Sequence, residues 1–181
     1  MQYKQTDLGT DENRISIILL EKTMEEGLCG MVSSPLFNEN IGIVLADNTD
    51  DEYSFASLAC GVDGAAPHIV MRLDLFEELR ENKTVALTVL IHEIGHYFNS
   101  DHKSCENDDY ARRLELASQN KICHKETAAD EFAVKYLGKD NVISGLEILK
   151  ERITGMMDAY DEEIVLLSIK EIDSRISYIK R

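Results

Sequence analysis

Residues 84–98 read TVALTVLIHEIGHYF, and the rest of the chain has to accommodate this one stretch. Val85, Leu87, Val89, Leu90, Ile91 and Ile94 leave no wide polar face, so the spacing predicts a helix that lies inside the protein. The same helix carries His92, Glu93 and His96. Residues four apart stand one above the other on a helix, so the two imidazoles face the same way and can share one metal ion. Glu93 projects from the adjacent edge, close enough to reach a metal-bound water without being a ligand, which is where a general base belongs. Burying three titratable groups on so apolar a helix is costly unless an ion compensates them.

A catalytic zinc normally takes three protein ligands and keeps one position for water, so a third ligand is required. Two candidates present themselves. His102 follows His96 by the interval of the pattern HExxHxxGxxH, with Asn99 in the place of the glycine. Glu126 opens the segment Glu126-Thr127-Ala128-Ala129-Asp130, whose two carboxylates share a helical face. One can bind the metal while the other, Asp130, accepts the second ring N–H of His92 or His96 and fixes its tautomer. Ala128, Ala129 and Ala133 would let this helix approach the first closely. His124, two residues before Glu126, is a candidate for hydrogen bonding to a transition state.

Outward from these two segments, residues 11–28 carry Ile15, Ile18, Leu19 and Leu28 among Glu21, Lys22, Glu25 and Glu26, which reads as an amphipathic helix closed by Gly27 or Gly30. Short apolar runs at 41–46, 54–60 and 68–73, bounded by turn formers, predict three strands. Helices are expected over 74–80, 110–118, 126–137, 142–153 and 158–179. A mixed first half followed by a wholly helical second half points to an α+β fold, read as one domain over residues 1–181. The strand at 68–73 would offer an edge to which an extended peptide could pair.

The 34 acidic residues against 19 basic ones give a net charge of -15, which repels nucleic acid and anionic lipid. No apolar run approaches the roughly 20 residues of a membrane span, and no leader pattern is present. Cys29, Cys60, Cys105 and Cys123 form no CxxC pair and are expected to be reduced thiols, so a cytoplasmic location is expected.

With these residues in place, the chain resembles the gluzincin peptidases, in particular the family of the CAAX prenyl proteases and heat-shock membrane proteases, which carry HExxH on one helix and ExxxD on the next. The similarity runs through residues 126–149, 68–79 and 173–176. It implies a zincin-like architecture, with a small N-terminal sheet packed on the active-site helix. It further implies zinc held by His92, His96 and Glu126, Glu93 as the base, Asp130 behind a ligand, and Arg175 as a candidate oxyanion partner. The implied activity is metalloendopeptidase action on peptides or unfolded proteins. The chain departs from the family in lacking membrane helices and in having Ile169 and Lys170 where members have a His-Pro pair. Phage repressor-removing factors are similar too, which opens a reading as a regulatory peptidase-like protein acting on a single repressor partner. A non-catalytic zinc-stabilised binding module would use the same ligands.

Overall fold

A computed structural model of the chain describes residues 2–21, 27–45, 55–59, 66–100 and 109–181, with the backbone alone at 109 and 110. Six strands come first: β1 (Tyr3–Leu8), β2 (Ile15–Leu20), β3 (Gly27–Ser33), β4 (Ile41–Leu45), β5 (Ala56–Ala59) and β6 (His68–Met71). They form one sheet in the order β1-β2-β3-β4-β6-β5. Neighbours are antiparallel except β4 and β6, which run parallel. Helices follow: α1 (Leu73–Arg80), α2 (Thr84–Phe98), α3 (Asp109–Ser118), α4 (His124–Leu137), α5 (Lys139–Thr154) and α6 (Glu162–Ile179). The fold is therefore α+β, sheet first and helices after.

The amphipathic helix expected over residues 11–28 is not found among the described residues of that range. Residues 15–20, ISIILL, are β2, in which Ile15, Ile17 and Leu19 are buried while Ser16, Ile18 and Leu20 are half-buried. That is a period of two, which a run with three β-branched isoleucines favours over a helix. β1 was also unforeseen, because its residues YKQTDL lie at the sheet margin and alternate only between exposed and half-buried. β3 contains a bulge between Leu28 and Gly30 that turns Cys29 into the core, where its Sγ contacts the Ile43 carbonyl oxygen at 3.3 Å.

The inner face of the sheet presents Ile15, Ile17, Ile41, Ile43, Ile69 and Met71, none with meaningful solvent exposure. Leu75, Phe76 and Leu79 of α1 and Ala86, Leu90 and Ile94 of α2 complete the same cluster. The sheet thus fixes the rotation of α2 about its axis, and a further side of that helix packs on α4 and α5. β6 does not supply a free edge, since β4 and β5 flank it; the sheet margin beside α2 is β5. No helix among the described residues is long and apolar enough to cross a membrane.

The approach of α2 to α4 is set by Gly95. A Cβ there would lie 2.8 Å from the Ala129 Cα and 2.9 Å from its carbonyl oxygen, both backbone atoms that cannot swing aside. Gly95→Ala is therefore expected to push the two helices apart, at a cost of about 1–3 kcal/mol typical of overpacking. The check is thermal unfolding, in which the variant should melt lower by about 2–12 °C for a domain of this size. An unchanged melting temperature would contradict the close approach.

Candidate metal centre

α2 contributes His92 and His96, and α4 contributes Glu126 and Asp130. Ring nitrogens of the two histidines and the Glu126 carboxylate form a group of possible ligand atoms all within 4.8 Å of one another. The His92 Nε2 and His96 Nε2 are 3.1 Å apart, His92 Nε2 lies 3.2 Å from Glu126 Oε2, and His96 Nε2 lies 3.5 Å from Glu126 Oε1. A tetrahedral ion with ligands at about 2.0–2.1 Å has ligand–ligand edges of about 3.3–3.4 Å, and the three separations are of that order, the two to Glu126 being made by different oxygens of its carboxylate. His92 and Glu126 are buried while His96 is half-buried, which leaves the ligand set more open on the His96 side.

Behind the ligands, the His92 Nδ1 is 2.8 Å from Asp130 Oδ1. The carboxylate can only accept, so Nδ1 carries the proton and Nε2 is left with a lone pair aimed at the ligand group. Arg175 grips the same aspartate with two bonds, Nε to Oδ2 at 2.8 Å and Nη2 to Oδ1 at 2.7 Å. Its Nη2 also sits 3.1 Å from the His92 Nδ1, the separation of two donors that share one acceptor. With only 6% of its side chain exposed, Arg175 lies on the Asp130 side of the ligands. The position suits orienting Asp130, and the Arg175 Nη1 also lies 3.5 Å from Glu126 Oε2.

The electrostatics ask for a cation. Two imidazole lone pairs and a carboxylate converge in a site that water barely reaches. Burial and Arg175 would both push His92 down, yet Asp130 and Glu126 outweigh them and raise it to about 9. Burial would raise Asp130, but Arg175 and His92 hold it at about 2. For Glu126 burial is opposed by Arg113, His92 and Arg175, which keep its carboxyl well below the usual range. Without metal a proton on His92 meets the demand, and the donor set is also one that could hold an imidazole-binding metal.

Glu93, on the adjacent edge of α2, is half-buried, and its Oε2 accepts the Leu58 backbone N–H of β5 at 2.8 Å. His124 is the first residue of α4, exposed, and is not a member of the ligand group. His102, the alternative third ligand, lies outside the described residues, as do Cys60 and Cys105; Cys29 and Cys123 are free thiols. Two residues at the site escaped the sequence reading, Arg113 of α3 and Glu171 of α6, which pair with each other at 2.9 Å while Arg113 also reaches Glu126 at 3.4 Å. The spacing of Glu171 and Arg175, one helical turn apart, was the one signal available for the second of them.

No protein-family model, no curated protein and no solved structure matches the chain. The geometry therefore stands on its own residues.

A folded-state value of about 9 for His92 against 6.5 unfolded means that its contribution to stability is complete below pH 6.5 and is lost as pH rises through 9. The metal-free protein should accordingly lose on the order of 3 kcal/mol across that window. A metal-loaded protein, which needs neutral His92, should not. Asp130 works at the other end, stabilising above its unfolded 3.8 and losing that contribution as pH falls toward 2. Denaturant unfolding with chelator and with one equivalent of zinc from pH 6 to 9.5 checks this; metal-free stability that rises with pH would contradict it.

Proposed function

We propose that the chain is a zinc-dependent metalloendopeptidase with a zincin-like arrangement of the gluzincin type. The observation that carries this reading is the group formed by two ring nitrogens from α2 and a carboxylate from α4, close enough together to share one ion and backed by Asp130. His92, His96 and Glu126 would hold the ion. Zinc in such a site supplies Lewis acidity, polarising a peptide carbonyl and acidifying a water molecule.

The chain's own residues do the remaining work. Glu93 is not one of the three ligand residues, so its carboxylate is available to take a proton from the attacking water and return it to the leaving amine. The Leu58 N–H fixes that carboxylate in orientation and ties it to β5. Asp130 keeps the His92 Nδ1 protonated, and Arg175 keeps Asp130 ionised and in place. An extended peptide would lie along β5, the marginal strand beside α2, which places its backbone close to Glu93. Such binding favours unfolded segments over compact domains.

The test separates metal binding from catalysis. Purified protein should contain one zinc per chain, and Glu93→Gln should keep that zinc while losing about 10²–10⁴-fold in hydrolysis of an unfolded casein substrate. Wild-type protein that binds zinc yet cleaves neither casein nor a peptide library would overturn the peptidase reading and favour a zinc-stabilised binding module. Hydrolysis by Glu93→Gln at the wild-type rate would remove Glu93 from the base role.

A further inference from the structure

We propose that Arg113 and Glu171 are positioning residues that aim the Glu126 carboxylate at the metal, so that α3 and α6 set the affinity of a site built on α2 and α4. This rests on the metal centre proposed above and extends it to two residues outside the HExxH and ExxxD segments.

The argument starts from what a buried glutamate ligand requires. Glu126 is 4% exposed, and the terminal torsion of a glutamate is broad, so nothing intrinsic to the residue fixes the plane of its carboxylate. In the structure each oxygen has a guanidinium beside it. Arg113 Nε is 3.4 Å from Oε1, and Arg175 Nη1 is 3.5 Å from Oε2. These oxygens are also the ones that face the histidines, Oε1 toward His96 and Oε2 toward His92. The two guanidiniums therefore hold the carboxylate with its oxygens turned to the two ring nitrogens.

Glu171 explains why the guanidiniums stay where they are. It is 8% exposed, and it takes no part in the ligand group or in the proposed chemistry. Its carboxylate accepts from Arg113 through a two-pronged contact, Nε to Oε1 at 3.2 Å and Nη2 to Oε2 at 2.9 Å, and lies 3.9 Å from Arg175 Nη1. A planar fork on a carboxylate fixes the guanidinium plane as well as its position. With Glu171 in place, Arg113 is shared between two carboxylates, which leaves Glu126 anionic character to give to a metal. The four groups close a ring in which Glu126 and Glu171 alternate with Arg113 and Arg175.

A lysine at 113 would keep the charge but cannot make the fork and reach Glu126 at once. A glutamine at 171 keeps the shape and loses the charge that draws Arg113. Arg113→Lys and Glu171→Gln should therefore each weaken zinc binding by about 10–100-fold, the range for residues that orient a ligand. Because the two act as a unit, the double variant should be close to the weaker single variant rather than the product of both losses.

The measurement is zinc dissociation by competition with a chromophoric chelator at pH 7, with far-ultraviolet circular dichroism confirming the fold of each variant. Arg152→Lys, which disturbs an ion pair with Glu78 remote from the ligand set, serves as control and should lower the melting temperature without changing zinc affinity. Dissociation constants within twofold of wild type for Arg113→Lys, or losses in the two single variants that multiply in the double, would overturn the proposal. Should Glu171→Gln fail to fold, Arg113→Lys decides alone, at a side chain 26% exposed and thus tolerant of exchange. Failure of the wild-type protein to bind zinc would remove the metal centre itself, a result distinct from unchanged affinity in the variants.

Discussion

Three electron-rich atoms, two imidazole nitrogens and a carboxylate oxygen, meet in a space that solvent barely enters. Left alone they repel, and no arrangement of apolar neighbours relieves that. Arg113 and Arg175 stand beside the carboxylate, and a proton on His92 or a metal ion would complete the pairing. The surrounding residues make sense in this light. Asp130 and Arg175 decide which nitrogen of His92 is free, while Arg113, Arg175 and His92 keep the Glu126 carboxylate ionised and Glu171 pairs with Arg113. Each buried charge is paired, as burial demands.

The scaffold exists to make two helices meet at that place. The sheet takes one side of α2 into its core through Ala86, Leu90 and Ile94, which sets the direction in which His92 and His96 point. Gly95 and Ala129 then remove the side-chain bulk between α2 and α4, so the ligands of one helix reach those of the other. The glycine within the HExxH segment is thus a packing residue. β5 adds the last constraint by tethering Glu93 through the Leu58 N–H, which joins the sheet margin to the site.

Much of this was legible in the sequence for identifiable reasons. The interval between His92 and His96 and that between Glu126 and Asp130 are both one helical turn, so each pair's common direction follows from helix geometry alone. The interior position of α2 followed from its lack of a polar face. By contrast, residues 15–20 were misread because the acidic and basic residues after Leu20 suggested a helical period, whereas the run itself alternates in burial. β1 gave no apolar alternation because it lies at the margin. Arg113 and Glu171 were missed for a different cause: they lie on separate helices, 58 positions apart, and no local period records a partnership made only by folding.

The most direct test is X-ray absorption at the zinc edge of the loaded protein. Two histidine nitrogens with one or two further oxygen ligands at about 2.0–2.1 Å, showing the multiple-scattering pattern of imidazole and no sulfur, are the expected result. A sulfur shell at about 2.3 Å, or a coordination sphere of oxygens without imidazole, would mean that the ion binds elsewhere and would contradict the convergence of His92, His96 and Glu126 on one metal.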